Sequence, residues 1–169
     1  RMIVPPTLIW SSAISTTNTM IAYWAILPSS SPSLTPTFLQ YVVTVPLMKR
    51  QGSGLIFNIA SSAGFAAAPQ MSAYNATKAG VISLSETLAS ELAGTGLQVS
   101  CAMPGFFRTH LLDHMRAPPE ENRLAHRIMD NSGHDPDEAA LALLGAAAAG
   151  ELYVVWPPEY RWAWRLKRW

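Results

Sequence analysis

Between Met2 and Met48 the sequence contains no Asp, Glu, Lys, Arg or His. The stretch therefore lacks the basic region that a secretory signal peptide carries ahead of its apolar run. Residues 8–27 are long enough to be weighed as a membrane span, but their Ser, Thr and Asn content makes them a poor one. Runs such as PSSSPSLTPT read as loop or disorder, so residues 1–37 are taken as a divergent Ser/Thr/Pro-rich lead. Charge is scarce elsewhere too. Only 14% of residues are charged and the formal net charge is +1, which excludes binding nucleic acid by general electrostatics. The single cysteine, Cys101, excludes an internal disulfide and suits a reducing cytoplasm. It lies in the apolar run VSCAM, which predicts a buried, inert thiol. No zinc-ligand spacing is present.

What is there begins at Phe38. The 169 residues suffice for one domain with a real core. Residues 38–50 carry apolar residues at helical spacing, with Lys49 and Arg50 in the last turn and Gly52 as a stop. Pro46 within that stretch predicts a kink or an early end. Residues 54–60, GLIFNIA, form a short apolar run rich in branched side chains, as in a parallel strand covered on both faces. A helix is predicted over 73–93, with Val81, Leu84, Leu88 and Leu92 facing inward, and Gly94 and Gly96 ending it. Residues 97–103 form the next strand. Asp135-Pro136-Asp137-Glu138 is a helix start: a cap, a proline at the first helical position, then acids against the dipole. A last strand, ELYVVW, follows at 151–156. Helices alternating with strands predict an α/β fold with right-handed crossovers in a parallel sheet.

The chemistry concentrates in SSAGFAAAPQMSAYNATKAG, residues 61–80. Tyr74 and Lys78 stand four apart and so share a helix face. A lysine ammonium beside a phenol favours the phenolate and lowers its pKa from about 10 towards neutrality, which suits general acid–base work. Ser61, thirteen residues before Tyr74, can donate a hydrogen bond to the oxygen being protonated. Ser62 offers the same hydroxyl one residue on, and Ser61 could equally cap a turn. Asn58 and Asn75 read as local hydrogen-bonders. Ser61 and Pro104 both fall just past strand ends, where ligands of such sheets bind.

Four segments in order, namely PLMKRQGSGLIFNIASSAG, YNATKAGVISLSETLASEL, LQVSCAMPGFFRT and a tail ending WRLKRW, resemble the short-chain dehydrogenase/reductase family. The resemblance implies a Rossmann-like parallel sheet flanked by helices, represented by its C-terminal part over residues 38–169. It implies hydride transfer between NAD or NADP and a carbonyl or alcohol. Ser61, Tyr74 and Lys78 fall on the family's catalytic residues, with Tyr74 and Lys78 also at the cofactor. Pro104, Gly105 and Thr109 fall on its Pro-Gly and threonine beside the nicotinamide. A homodimer or homotetramer in the cytoplasm is implied as well, with the helices over 38–50 and 73–93 as the usual interface. The family's first strands, its TGxxxGxG pyrophosphate loop and its Asn-Asn-Ala-Gly have no counterpart here, and SPSLT stands near Ser33 where a fourth catalytic residue, an asparagine, is expected. A truncated product is therefore one expectation, a real divergent extension the other.

A rival reading is a non-catalytic remnant that keeps these residues but holds no cofactor, acting as a dimerising or membrane-surface module. His110 and His114, at i and i+4, could hold a metal. No third ligand is evident, so the expectation is no metal and a polar substrate lid over 111–134. The tail PPEYRWAWRLKRW interleaves aromatic and basic residues, fitting either packing against the body or subunit, or contact with a membrane surface.

Overall fold

Apolar side chains that recur at every second position must face one side of a sheet, and here both sides are apolar. The computed structural model describes residues 20–23, 35–109 and 119–168. Its sheet has four parallel strands in sequential order: β1 (Met20–Tyr23), β2 (Gly54–Ile59), β3 (Leu97–Pro104) and β4 (Tyr153–Trp156). The helices are α1 (Thr35–Gln51), α2 (Ala63–Ala66), α3 (Ser72–Glu91), α4 (Pro119–Asp130), α5 (Pro136–Ala148) and α6 (Arg161–Arg168). Successive parallel strands need crossovers, and the long helices supply them.

On one face Ile56, Val99 and Leu97 pack with Tyr41 and Met48 of α1 and with Leu88 and Leu92 of α3. Further along the same face Cys101, Met103 and Val155 meet Val81 and Ile82 of α3 and Phe65 of α2. The alternate residues Phe57, Ala102, Val154 and Trp156 pack on Ala139, Leu143 and Ala147 of α5. Each buried aliphatic of this kind stabilises by about 1.5–3 kcal/mol relative to exposure. That explains why α1 runs past Pro46 to Gln51 rather than stopping: Pro46 is exposed, so the carbonyl it deprives of a partner lies towards water, while Met48 beyond it is buried at 3% exposure.

The remaining predicted elements stand within a residue or two of the sequence reading. Asp135 caps α5 by accepting a hydrogen bond from the Glu138 amide at 2.8 Å. Cys101 is fully buried and its thiol is pushed up to about 11, chiefly by that burial, so it is inert at neutral pH. Four elements are additions: β1 within the lead, pairing Met20 with Leu55 through Tyr23 with Asn58; the short α2; α4, within the stretch read as a polar lid; and α6. Most of residues 8–27, with His110 and His114, lies outside the described residues. Among those described, no helix is long and apolar enough to cross a membrane, and no group of three His, Cys, Asp or Glu could hold a metal ion.

A buried polar chain ties the first face together. The Tyr41 hydroxyl donates to Asn58 Oδ1, Asn58 Nδ2 donates to Ser85 Oγ at 3.0 Å, and Ser85 Oγ donates to the Val81 carbonyl at 2.7 Å. It joins α1, β2 and α3 through groups that are 6%, 2% and 0% exposed. Replacing Asn58 by Ala leaves the Tyr41 hydroxyl buried without its acceptor, which costs about 1–3 kcal/mol. Urea unfolding of Asn58→Ala, Tyr41→Phe and the double variant should show strongly non-additive losses; simple additivity would mean that the chain is not a unit.

Candidate functional site

Three segments meet beyond the carboxyl ends of the strands, because the ladder continues past them. The Ala60 amide donates to the Ala102 carbonyl at 2.8 Å, the Ser62 amide to Pro104 at 2.8 Å and the Gly105 amide to Trp156 at 2.7 Å. Ser61, Pro104 and Gly105 are thus fixed by main-chain bonds. Helix α2 begins directly after Ser61, whose Oγ accepts from the Ala63 amide at 3.2 Å. The turn-capping role weighed for Ser61 is therefore present. It does not compete with chemistry: a hydroxyl that accepts from an amide still has its own proton to donate.

Tyr74 is its neighbour, and the Ser61 side chain acts on the phenol as a hydrogen-bonding group. Tyr74 lies in the first turn of α3 and is 39% exposed as a whole residue, yet burial around its phenol is the largest influence on its pKa. Burial raises the pKa above the ordinary value, and the Ser61 hydrogen bond pulls it down. This corrects the expectation drawn from the Tyr-x-x-x-Lys spacing. Lys78 Nζ lies over the Tyr74 ring, 5.7 Å from its centre. It donates to the Ile59 carbonyl at 3.2 Å, the last residue of β2. Burial also lowers the Lys78 pKa, with the buried Cys101 acting weakly in the other direction.

Two further features hold this geometry, and the sequence reading missed the first. Gly64 stands where α2 crosses α3: a Cβ there would lie 2.8 Å from the Lys78 carbonyl carbon and 2.9 Å from the Ala79 amide. Asn75, read as a local hydrogen-bonder, is one: its Nδ2 donates to the Ala68 carbonyl at 2.6 Å and so pins the loop before α3 to its first turn. The signal for Gly64 was its place in SSAG, three residues after Ser61.

At Gly105 a Cβ would lie 2.9 Å from the Tyr160 ring. The close approach that glycine permits is made by the chain's own tail. Thr109 is half-buried at the end of the described stretch. Beside this segment a cleft of about 470 Å³ is lined by Phe106, Arg127, Ile128, His134, Glu159 and Tyr160. His134 stands between two carboxylates, with Nδ1 3.1 Å from Glu138 and Nε2 3.3 Å from Glu159, and the Glu138 hydrogen bond is the largest of the influences that raise its pKa. In the region read as a lid, α4 supplies the cleft with Arg127 and Ile128.

Residues 30–120 match the family model for short chain dehydrogenase. The chain is 41% identical over 87 residues to 3-oxoacyl-[acyl-carrier-protein] reductase of Synechocystis sp., covering 52% of this chain and 35% of that protein. It is 34% identical over 112 residues to the reductase of the same name from Thermotoga maritima, covering 66% and 45%. Among solved structures it is similar to a short chain dehydrogenase/reductase from Burkholderia phymatum in complex with NAD, with TM-score 0.68 and 28% identity over 77% of this chain and 52% of that one. A short-chain dehydrogenase from Sphingobium yanoikuyae in complex with NADPH gives TM-score 0.62 and 30% identity over 81% and 51%. The chain therefore spans between a third and a half of the curated relatives' length. With the family model matching more than half of it, the chain belongs to the short-chain dehydrogenase family.

Proposed function

We propose that the chain serves an NAD(P)-dependent oxidoreductase acting on a carbonyl or alcohol, in which residues 38–169 form the C-terminal part of the domain and 1–37 a divergent lead. The observation that carries this reading is the contact between Ser61 and Tyr74, with Lys78 Nζ 5.7 Å from the same ring, at the carboxyl ends of the strands. A nicotinamide cofactor, when bound, supplies or accepts the hydride. The residues present fit its nicotinamide end. Lys78, part-buried and reaching from α3 to the end of β2, is placed to hold a ribose hydroxyl, and the Pro104–Gly105 backbone and Thr109 line the adjoining strand end.

The chain's own chemistry is proton chemistry. Tyr74, kept neutral by burial, gives a proton to the carbonyl oxygen during reduction and takes it back during oxidation. Ser61, oriented by the Ala63 amide, donates a hydrogen bond to that same oxygen and opposes the charge developing on it. The 470 Å³ cleft beside Gly105 is the place for the substrate body. Self-association through α1 and α3, where Leu47 is 52% exposed, and a cytoplasmic location belong to the same reading.

Fluorescence titration with NADH and NADPH tests it. Saturable binding that weakens at least tenfold in Lys78→Ala is expected, since a hydrogen bond to a charged group contributes about 1.5–3 kcal/mol. A folded chain that binds neither cofactor would overturn the proposal.

A further inference from the structure

Helix α6, Arg161–Arg168, has two unlike sides. Its inner side is locked to the body. Ala163 and Trp164 pack against the cluster containing Phe65 and Cys101, with the Trp164 ring 5.2 Å from Phe65 and 5.1 Å from Tyr153. Arg168 pairs with Glu86 and lies over the Tyr153 and Trp164 rings at 4.9 and 5.0 Å. The helix cannot roll over to hide its other face.

That outer face carries Trp162 and Leu166, one turn apart and each 68% exposed. Arg165 lies beside them, and Arg161 and Lys167 flank the pair, all three exposed. Arg161 donates Nε to the Val155 carbonyl and keeps its charge, and none of the three forms a salt bridge among the described residues. The octapeptide RWAWRLKR has four cations and no acid, in a chain whose net charge is only +1. A tryptophan exposed to this extent on a fixed helix, ringed by cations, has the composition of a helix lying in a lipid headgroup layer.

We propose that α6 docks the chain onto an anionic lipid surface, with Trp162 and Leu166 entering the interface and Arg161, Arg165 and Lys167 facing the phosphates. Two apolar side chains are too few for the core of a protein interface, which buries about 800 Å² on each partner. They suffice at a bilayer surface, where indole settles at headgroup level and arginine and lysine stems bury while their charges stay wet. A helix this short gives modest, reversible, salt-sensitive attachment.

The test is co-sedimentation of the 169-residue chain with phosphatidylcholine vesicles, with and without phosphatidylserine. Binding is expected only with phosphatidylserine, and raised salt should release it. Removing a cation near the surface costs about fivefold, so Arg165→Glu with Lys167→Glu should weaken binding more than about 25-fold. Trp162→Ser should also weaken it. Leu141→Ser, at an equally exposed site on α5, should not. Circular dichroism confirms that each variant is folded, and the salt titration of the unsubstituted chain needs no variant. Equal binding to neutral vesicles, or full binding by the double variant, overturns the proposal. So does retention by single-stranded RNA without vesicle binding, or self-association lost in Trp162→Ser without vesicle binding.

Discussion

Replacing Tyr74 by Phe should lower turnover by about 10²–10⁴-fold while leaving cofactor affinity close to unchanged, because the lost hydroxyl supplies a proton rather than a binding contact. The substitution keeps the ring that Lys78 faces and removes only the group hydrogen-bonded to Ser61. Net loss of one hydrogen bond changes stability by about 0.5–1.5 kcal/mol, so the variant folds. The pH profile provides a second readout. Burial holds the phenol's pKa above its ordinary 10.0, so the acid form persists throughout the neutral range. Carbonyl reduction, which consumes that proton, should be flat near neutrality and fall only as pH rises through the raised value. Alcohol oxidation, which needs the phenolate, should climb with pH over the same range. Steady-state rates of NAD(P)H oxidation against a panel of carbonyl compounds measure the first, and rates of NAD(P)+ reduction against the corresponding alcohols measure the second. A Tyr74→Phe chain keeping a tenth of its turnover would remove Tyr74 from the chemistry.

Gly64→Ala should damage the site from a distance. The added methyl meets main-chain atoms of Lys78 and Ala79 at 2.8 and 2.9 Å and the Ile82 side chain at 3.0 Å. Backbone atoms cannot swing aside as a flexible side chain does, so α2 and α3 must part. Overpacking of this kind costs about 1–3 kcal/mol. Because Tyr74 and Lys78 both ride on α3 while Ser61 follows β2, parting the helices moves the tyrosine and the lysine away from the serine. A misplacement near 1 Å can cost about 10²-fold in rate. Gly145→Ala is the matched control: it lies inside α5 with open space around it, and should be neutral or slightly stabilising. Thermal melts and turnover of the two variants separate the effects. If Gly64→Ala melts lower but turns over normally, the crossing supports the fold without positioning the site.

The strands and long helices from Thr35 onward, α4 excepted, were legible because their signals are local. β2 and β3 are apolar runs bounded by glycine, and α5 carries its own cap and proline. That Tyr74 and Lys78 share one helix was legible from spacing. Their protonation was not, because the Tyr74 pKa depends on how much water the surrounding protein removes, and four-residue spacing says nothing of that. Of the two outcomes expected at Pro46, the early end did not occur: α1 continues to Gln51. Tyr160 against Gly105 was hidden for a different reason. The two residues are far apart in sequence, and only the folded tail brings the ring to the glycine. β1 was hidden in turn by the Ser/Thr/Pro composition around it, four residues being too few for a period to register.

The main-chain bonds that run past the ends of β2 and β3 have a consequence for exchange and for divergence. The Ser62 and Gly105 amides are rungs of the same ladder as the core, so they should exchange with deuterium only when the sheet itself opens. Reaction centre and scaffold then share one cooperative unit, and neither can soften alone. Change in such a chain is confined to what hangs outside the ladder: the walls contributed by α4 and by the turn after Trp156. Those segments can drift while the geometry around Ser61 and Gly105 is inherited intact with the sheet.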